Sequence, residues 1–549
     1  MTKGLTVSIK GSFDAQNENN LGRTKTSPQW LATGRNEAGE LEFNQTQIGE
    51  ENLSYKQTNK GYRSVYFEAV ANWARTFGKH DLSAMFLFQQ SQKNYVGESA
   101  NNSEKALPYR HQGIAGRITY NYDNRYFVEG NFGYNGSENF SPRHRFGFFP
   151  AGAVGWVLSE EKFFAPLRDV LDLVKFKASY GIVGNDQIGG DRRFIYNETI
   201  NTSGGSYQFG TGNTTYTGLR LGNWANDSVG WEKAYKLNVG AEVSLFGKLR
   251  IQADYFRERR EGIFLQAASI PRFSGLSTSP WINAGKMKNH GVDASLEYHQ
   301  TIGKVQLTVR GNFTYAHNTI LDNDQPRWAE PYLNKIGQSN WQEYGLVAAG
   351  LFSSQEEIDA WPTQAWGEVH PGDIKYLDLN GDGKVDTYDC KPIGYPNVPE
   401  ITYGFGASVK WKGFDFSVFN NTYTQPFTAS SISLSNVFTD LIGKYWSESN
   451  PDPNARYPRL TTSPNPNNSQ KSTFWMVNGR YMRLKNAEIG YSLPKQVVNK
   501  LRIDGLRIYV SGMNLLTFSD FKLWDPDLQT GAANYPNNRV YNIGVSLIF

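Results

Sequence analysis

Residues 235–255 read YKLNVGAEVSLFGKLRIQADY. Tyr235, Leu237, Val239, Ala241, Val243 and Leu245 alternate with Lys236, Asn238, Gly240, Glu242 and Ser244. After Phe246, Gly247 and Lys248, the run Leu249, Ile251, Ala253 and Tyr255 alternates with Arg250, Gln252 and Asp254. Successive side chains of a strand point to opposite faces, so this period of two predicts one apolar and one polar face. The three-residue connection predicts a tight hairpin.

The same pattern recurs outward from this hairpin. In 305–315, Val305, Leu307, Val309, Phe313 and Tyr315 alternate with Gln306, Thr308, Arg310, Asn312 and Thr314. In 126–135, Tyr126, Val128, Phe132 and Tyr134 alternate with Glu129, Asn131 and Asn135. Alternation over about ten residues matches a tilted membrane strand. Strands of a soluble sandwich with one wet face usually run about five or six. The chain ends on Tyr541, Ile543, Val545, Leu547 and Phe549, one face of a final strand closing flush at Phe549.

Connections alternate in length. Short turns are expected near Asp123-Asn124, Gly247, Gly303 and Gly413, and long polar loops at 184–230, 258–282, 317–342, 351–400 and 424–474. Short turns on one side and long extracellular loops on the other define an outer-membrane barrel. The expected architecture is all-β: an incomplete antiparallel transmembrane barrel of roughly sixteen strands, with residues 1–549 as one unit. Leu237, Val239, Val243, Ile251, Val309, Ile543 and Leu547 should face lipid, and Lys236, Glu242, Arg250 and Gln306 the lumen.

Composition agrees. The 549 residues exceed one ordinary soluble core, a limit that a closed sheet escapes. Tyr, Phe and Trp make up 14%, as aromatic girdles require. No run of 18 apolar residues offers a helical span. Net charge is +4 without a basic block, which argues against nucleic acid. Cys390 is the single cysteine, so there is no intrachain disulfide. Met1–Ile9 has no signal-peptide pattern, so an exported barrel would need a preceding segment.

Several segments in order resemble the SusC/RagA family of TonB-dependent transporters. They are 117–122, 134–137, Arg145-Phe146-Gly147-Phe148-Phe149-Pro150, Gly155-Trp156, Trp231-Glu232-Lys233 and Asn283-Ala284-Gly285-Lys286-Met287. Further on come Gly372-Asp373-Ile374, Asp378-Leu379-Asn380-Gly381-Asp382-Gly383, 481–486, Gly490-Tyr491 and Gly512-Met513-Asn514-Leu515. The resemblance implies a 22-strand barrel in the outer membrane that imports oligosaccharides or peptides. It also implies a lidding SusD-like surface lipoprotein, and TonB coupling through an N-terminal plug and extension. Neither those parts nor the first strands are visible here, so TonB is expected to act only through the missing portion. A curved sheet with open edges is expected in place of normal closure.

The sharpest local motif is Asp378-x-Asn380-x-Asp382-Gly383-Lys384-Val385-Asp386-x-x-Asp389. Its spacing matches an EF-hand-like calcium loop, with Lys384 offering its carbonyl. Asp389 stands where such loops prefer Glu. The bland reading is an acidic turn without metal. Trp328, Trp341, Trp361, Trp366 and Trp446 are candidate sugar-stacking residues, or else pack the loops together. The seven His are scattered without a metal spacing, and Glu368 and His370 lack a third partner, so no enzyme is expected. Gly181, Gly184, Gly189 and Gly190 read as loop punctuation, since no GK[ST] follows. Nutrient import is the leading expectation; a non-transporting barrel remnant and a secreted carbohydrate-binding β-protein are the alternatives.

Overall fold

The structure is a computed structural model that describes residues 3–188, 192–212, 214–276, 278–423, 427–428, 442–500, 502–528 and 535–549. Gly189, Gly190 and parts of the expected loops 184–230, 258–282 and 424–474 lie outside those residues.

Sixteen strands form one antiparallel sheet, each paired with its sequence neighbours in that sheet. They are β1 (Leu5–Thr24), β2 (Ser54–Phe77), β3 (His80–Gly97), β4 (Tyr109–Tyr122), β5 (Tyr126–Ser137) and β6 (Phe146–Val157). Then come β7 (Leu171–Asn185), β8 (Glu232–Leu245), β9 (Leu249–Gln266), β10 (Trp281–Ile302) and β11 (Val305–Asp322). The last are β12 (Ile401–Trp411), β13 (Phe414–Tyr423), β14 (Tyr481–Ser492), β15 (Gly505–Ser519) and β16 (Val540–Ile548). Among the described residues no ladder joins β1 to β16, so each keeps one open edge, as expected.

Every expected short turn is present. Asp123 and Asn124, Phe246 and Gly247, and Lys412 and Gly413 all have positive φ, between 47° and 89°. Two successive left-handed residues make a hairpin turn whose twist matches the strands it joins. All the short turns fall on one side of the sheet. The long connections, including 186–231, 323–400 and 424–480, fall on the other.

The register carries the two faces round the sheet. Val239 lies opposite Tyr255, Tyr255 opposite Val292, and Val292 opposite Tyr315. The adjacent row reads Gly240, Asp254, Asp293 and Thr314. Directly paired residues share a face, so parity in β8 fixes parity elsewhere. Leu237, Val243, Ile251, Val309, Ile543 and Leu547 fall on the face of Val239. Lys236, Glu242, Arg250 and Gln306 fall on the other. Rings pair along the apolar belt near both of its limits: Tyr134 with Phe146 at 5.1 Å, and Phe414 with Tyr491 at 4.5 Å. This is the girdle arrangement of a membrane barrel.

The expected loops need three corrections. β9 runs on through 258–266 and β10 begins at Trp281, leaving 267–280 as the connection. Above the lipid both faces are wet, so Arg257-Glu258-Arg259-Arg260 has no apolar alternation and reads as loop. The stretches 317–342 and 351–400 belong to one excursion, 323–400, because Tyr344–Gly345 and Ala348–Leu351 pair locally and not with the wall. The connection expected at 424–474 runs on to residue 480, and within it Phe427–Thr428 pairs with Met476–Val477.

Candidate functional site: a charged lumen beneath a packed loop cap

Charge within the apolar belt is concentrated on the inner face of the wall, where much of it is paired. Lys10 meets Glu68 at 3.0 Å, Arg117 meets Glu129 at 2.6 Å, and Arg310 meets Glu297 at 2.8 Å. Glu242 pairs with Arg250, and Lys236 with Glu258 at 3.2 Å. Arg507 bridges Asp415 and Glu488. All these groups share the lumen parity. Lys177 reaches Asp254, two strands away, at 2.8 Å across Gly240. A Cβ on Gly240 would lie 2.2 Å from Asp254 Oδ1, so only glycine leaves room for that bridge. Arg483, 2% exposed, donates to Asp525, to Asp527 at 3.3 Å and to Thr517, fixing part of the last long loop to the wall.

The two largest connections interlock into a cap. Leu346, Leu351, Ile374, Tyr376 and Val385 of 323–400 form one core with Trp446, Ala455, Tyr457 and Trp475 of 442–480. Backbone bonds stitch the two together: Leu346 N–H to Lys471 O, Leu351 N–H to Pro453 O, and Arg459 N–H to Gly372 O. At the centre lies Asp373, fully buried. Its carboxylate accepts Arg459 Nε at 2.8 Å and Nη2 at 3.1 Å, Asn465 Nδ2 at 3.0 Å, Asn468 Nδ2 at 2.8 Å and the His370 N–H at 2.9 Å. A buried charge is tolerable when it is paired and fully hydrogen-bonded in this way. Gly372 has φ +88°, and a Cβ there would sit 2.3 Å from the Trp446 ring. Gly372, Asp373 and Ile374 thus serve a left-handed turn, a charge hub and a core position.

A second cluster holds 186–231. Phe140, Ile188, Ile195 and Val229 pack with Trp231, Phe264 and Trp281. Arg193, 2% exposed, donates to the carbonyls of Glu104, Leu107 and Pro108 at 2.7–2.8 Å and lies 3.7 Å over the Tyr109 ring. Asn283 clamps Gly230 and Gly262 through their backbones. Neither Asp373 nor Arg193 was singled out as a site residue from sequence. Only the Gly372-Asp373-Ile374 motif pointed towards the first.

The five candidate tryptophans separate. Trp446 is 6% exposed and inside the cap core, so its faces are spent on packing. Trp366 packs against the same core, 6.2 Å from Tyr376. Trp361 donates Nε1 to Tyr376 O at 2.8 Å and meets Phe352 edge-on. Trp328 and Trp341 remain 41% and 55% exposed. The structure does not gather the five into one platform.

In the acidic loop, Asp378 accepts the N–H groups of Gly381 at 2.7 Å and Gly383 at 2.9 Å. Asn380 accepts from Asp382 N–H, and Asp382 from Lys384 N–H. Asp386 accepts Tyr388 N–H at 2.8 Å and the Lys384 ammonium at 3.0 Å, which hold its carboxyl below the usual range. Asp389, fully buried, accepts Leu379 N–H at 2.7 Å and Asp386 N–H at 2.8 Å. Gly381 and Gly383 supply the left-handed φ of 75° and 83°. The carboxylates turn onto the backbone, and among the described residues no three His, Cys, Asp or Glu groups converge as a metal-holding set. Nearby, burial first and then the charges of Glu330 and the acidic loop push the Tyr332 hydroxyl up to about 12.

A single sheet with an apolar outer belt, a charge-paired inner wall, short turns on one side and packed loops on the other defines a transmembrane β-barrel. Residues 4–515 match the family described as TonB dependent receptor-like, beta-barrel. The chain belongs to that family, which is one of outer-membrane transporters and receptors and not an enzyme family. It is 26% identical to TonB-dependent receptor P3 of Formosa agariphila, over 99% of this chain and 56% of that protein. It is 25% identical to TonB-dependent receptor SusC of Bacteroides thetaiotaomicron, over 79% of this chain and 43% of that protein. The chain thus spans about half the length of these relatives. Its fold matches the structure of the RagAB peptide transporter with a TM-score of 0.74 and 21% identity, covering 100% of this chain and 60% of that one.

Proposed function

We propose that this chain forms the barrel wall and extracellular cap of an outer-membrane importer of large nutrients, oligosaccharides or peptides. The observation that carries the proposal is the concentration of paired charge on the inner face. A wall that pairs ions inward and presents apolar residues outward suits a wide polar path through lipid. The cap covers the side on which cargo would arrive, and its outer surface suits a SusD-like lipoprotein lid. Energy would come from TonB. Exposed Trp328 and Trp341 are proposed to meet cargo at the rim; Trp361, Trp366 and Trp446 would act by shaping the cap.

The test is uptake of labelled oligosaccharide and labelled oligopeptide by cells with and without the gene, together with co-purification of a surface lipoprotein. Uptake of one class that depends on the gene, with a lipoprotein retained, supports import. Neither uptake nor lipoprotein would identify a non-transporting remnant.

A calcium ion at 378–389 is proposed as a brace for the cap, taking oxygens from Asp378, Asn380, Asp382, Asp386 and Asp389 and the Lys384 carbonyl. The spacing and the two left-handed glycines support it, and carboxylate oxygens that accept one N–H keep a further lone pair. Isothermal titration with calcium tests it.

A further inference from the structure

The outer face carries a group of cations that the wall neutralises only in part. On β9, Arg257 and Arg259 have the parity of Tyr255, so they point away from the lumen. Arg259 lies directly opposite Lys288 of β10, and Arg257 opposite His290. Like charges directly opposite on paired strands destabilise the pair. Glu261 takes Arg259 at 2.8 Å, Asp322 lies 4.0 Å from Lys286, and Glu400 takes His317 at 2.7 Å. Among the described residues neither Arg257 nor Lys288 has an acidic partner, whereas the lumen charges described above are paired.

Their height on the wall is informative. The next row is Val239, Tyr255, Val292 and Tyr315, the upper edge of the apolar belt. Tyr235 and Leu237 of β8 stand beside Arg259 and Arg257 on the same face. Arg257 lies one row above that belt and Arg259 and Lys288 two rows above it, where lipid headgroups lie, with room for acyl chains over the apolar residues below. Two guanidinium forks and an ammonium are suited to a phosphate group.

We propose that Arg257, Arg259 and Lys288 bind the phosphate of a phosphorylated glycolipid in the outer leaflet. The proposal rests on the outer-membrane placement of the barrel, not on what it imports. The test uses the full-length transporter, delipidated in detergent and then offered phosphorylated glycolipid, the same glycolipid after phosphatase treatment, or inorganic phosphate. Native mass spectrometry reads what is retained. Wild-type protein is expected to keep the phosphorylated glycolipid, with retention lowered about tenfold or more in Arg257→Gln/Arg259→Gln/Lys288→Gln. Lys236→Gln, a charge change on the lumen face, is expected to leave retention unchanged, and heat-modifiable gel migration checks that every variant is folded. Equal retention of the dephosphorylated lipid, equal retention by the triple variant, or binding of inorganic phosphate alone would overturn the proposal.

Discussion

The wall and the cap are built from the same chain by opposite rules. The wall segment 235–255 takes its order from a repeating pattern: each residue's face follows from its parity, and its ladder partners lie within a hairpin's reach. The cap takes its order from one buried charge. Asp373 collects Arg459, Asn465 and Asn468 from a loop about ninety residues away in sequence, and no periodicity announces it. The wall should therefore tolerate many substitutions that keep parity, while the cap should fail when a single hub residue changes.

The largest expected effect is at that hub. Asp373→Ala leaves the half-buried Arg459 without its counter-charge and Asn465 and Asn468 without their acceptor, which costs about 3–5 kcal/mol. Limited proteolysis should open 351–400 and 442–480 while the barrel keeps its heat-modifiable migration; loss of both together would show that cap and wall fold as one unit. Next is the wall. Val239→Lys puts a charge on the lipid face at a cost of about 2–4 kcal/mol, whereas Asn238→Lys on the lumen face should be tolerated. Equal refolding yields from the two variants would break the assignment of faces. Gly372→Ala should loosen the cap by about 1–3 kcal/mol, since the position has φ +88° and Trp446 fills the space of a Cβ. This shows as a lower cap-melting temperature with the barrel unchanged.

Two further comparisons sharpen the contrast within the cap. Asp378→Ala with Asp382→Ala should abolish calcium binding in titration; unchanged binding would move the site elsewhere. Trp328→Ala and Trp341→Ala should change cap stability by no more than about 0.5 kcal/mol, because both rings are exposed, while weakening cargo uptake. The buried Trp446→Ala should do the reverse, costing about 3–5 kcal/mol of cap stability.

The difference between the regions also sets what could be read in advance. The sixteen strands, the short turns at Asp123-Asn124, Gly247, Gly303 and Gly413, and the facing of Val239 against Lys236 were legible because membrane and lumen impose a period of two. Legibility stops where β9 and β10 leave the lipid, since a strand wet on both faces, as at Arg257–Arg260, has no alternation to show. It stops again in the cap. Trp446 and Trp328 are alike in sequence, both in polar loops, yet one is buried by Gly372 and Arg459 and the other is not. Asp373 looks like any loop acid until Arg459 is placed beside it. The acidic loop shows a third case: its spacing was plain, but the direction of each carboxylate, onto the backbone N–H groups, depends on local φ that spacing does not reveal.

The central claim is that one parity of every wall strand meets lipid and the other meets water. With Cys390→Ser as background, single cysteines at 238, 239, 241, 242 and 243 can each carry a nitroxide in the barrel reconstituted into bilayers. Collision with oxygen, which partitions into lipid, and with a water-soluble nickel chelate is then measured at each site. The account predicts oxygen-dominated relaxation at 239, 241 and 243 and nickel-dominated relaxation at 238 and 242. Equal accessibility to both reagents along the segment would contradict it.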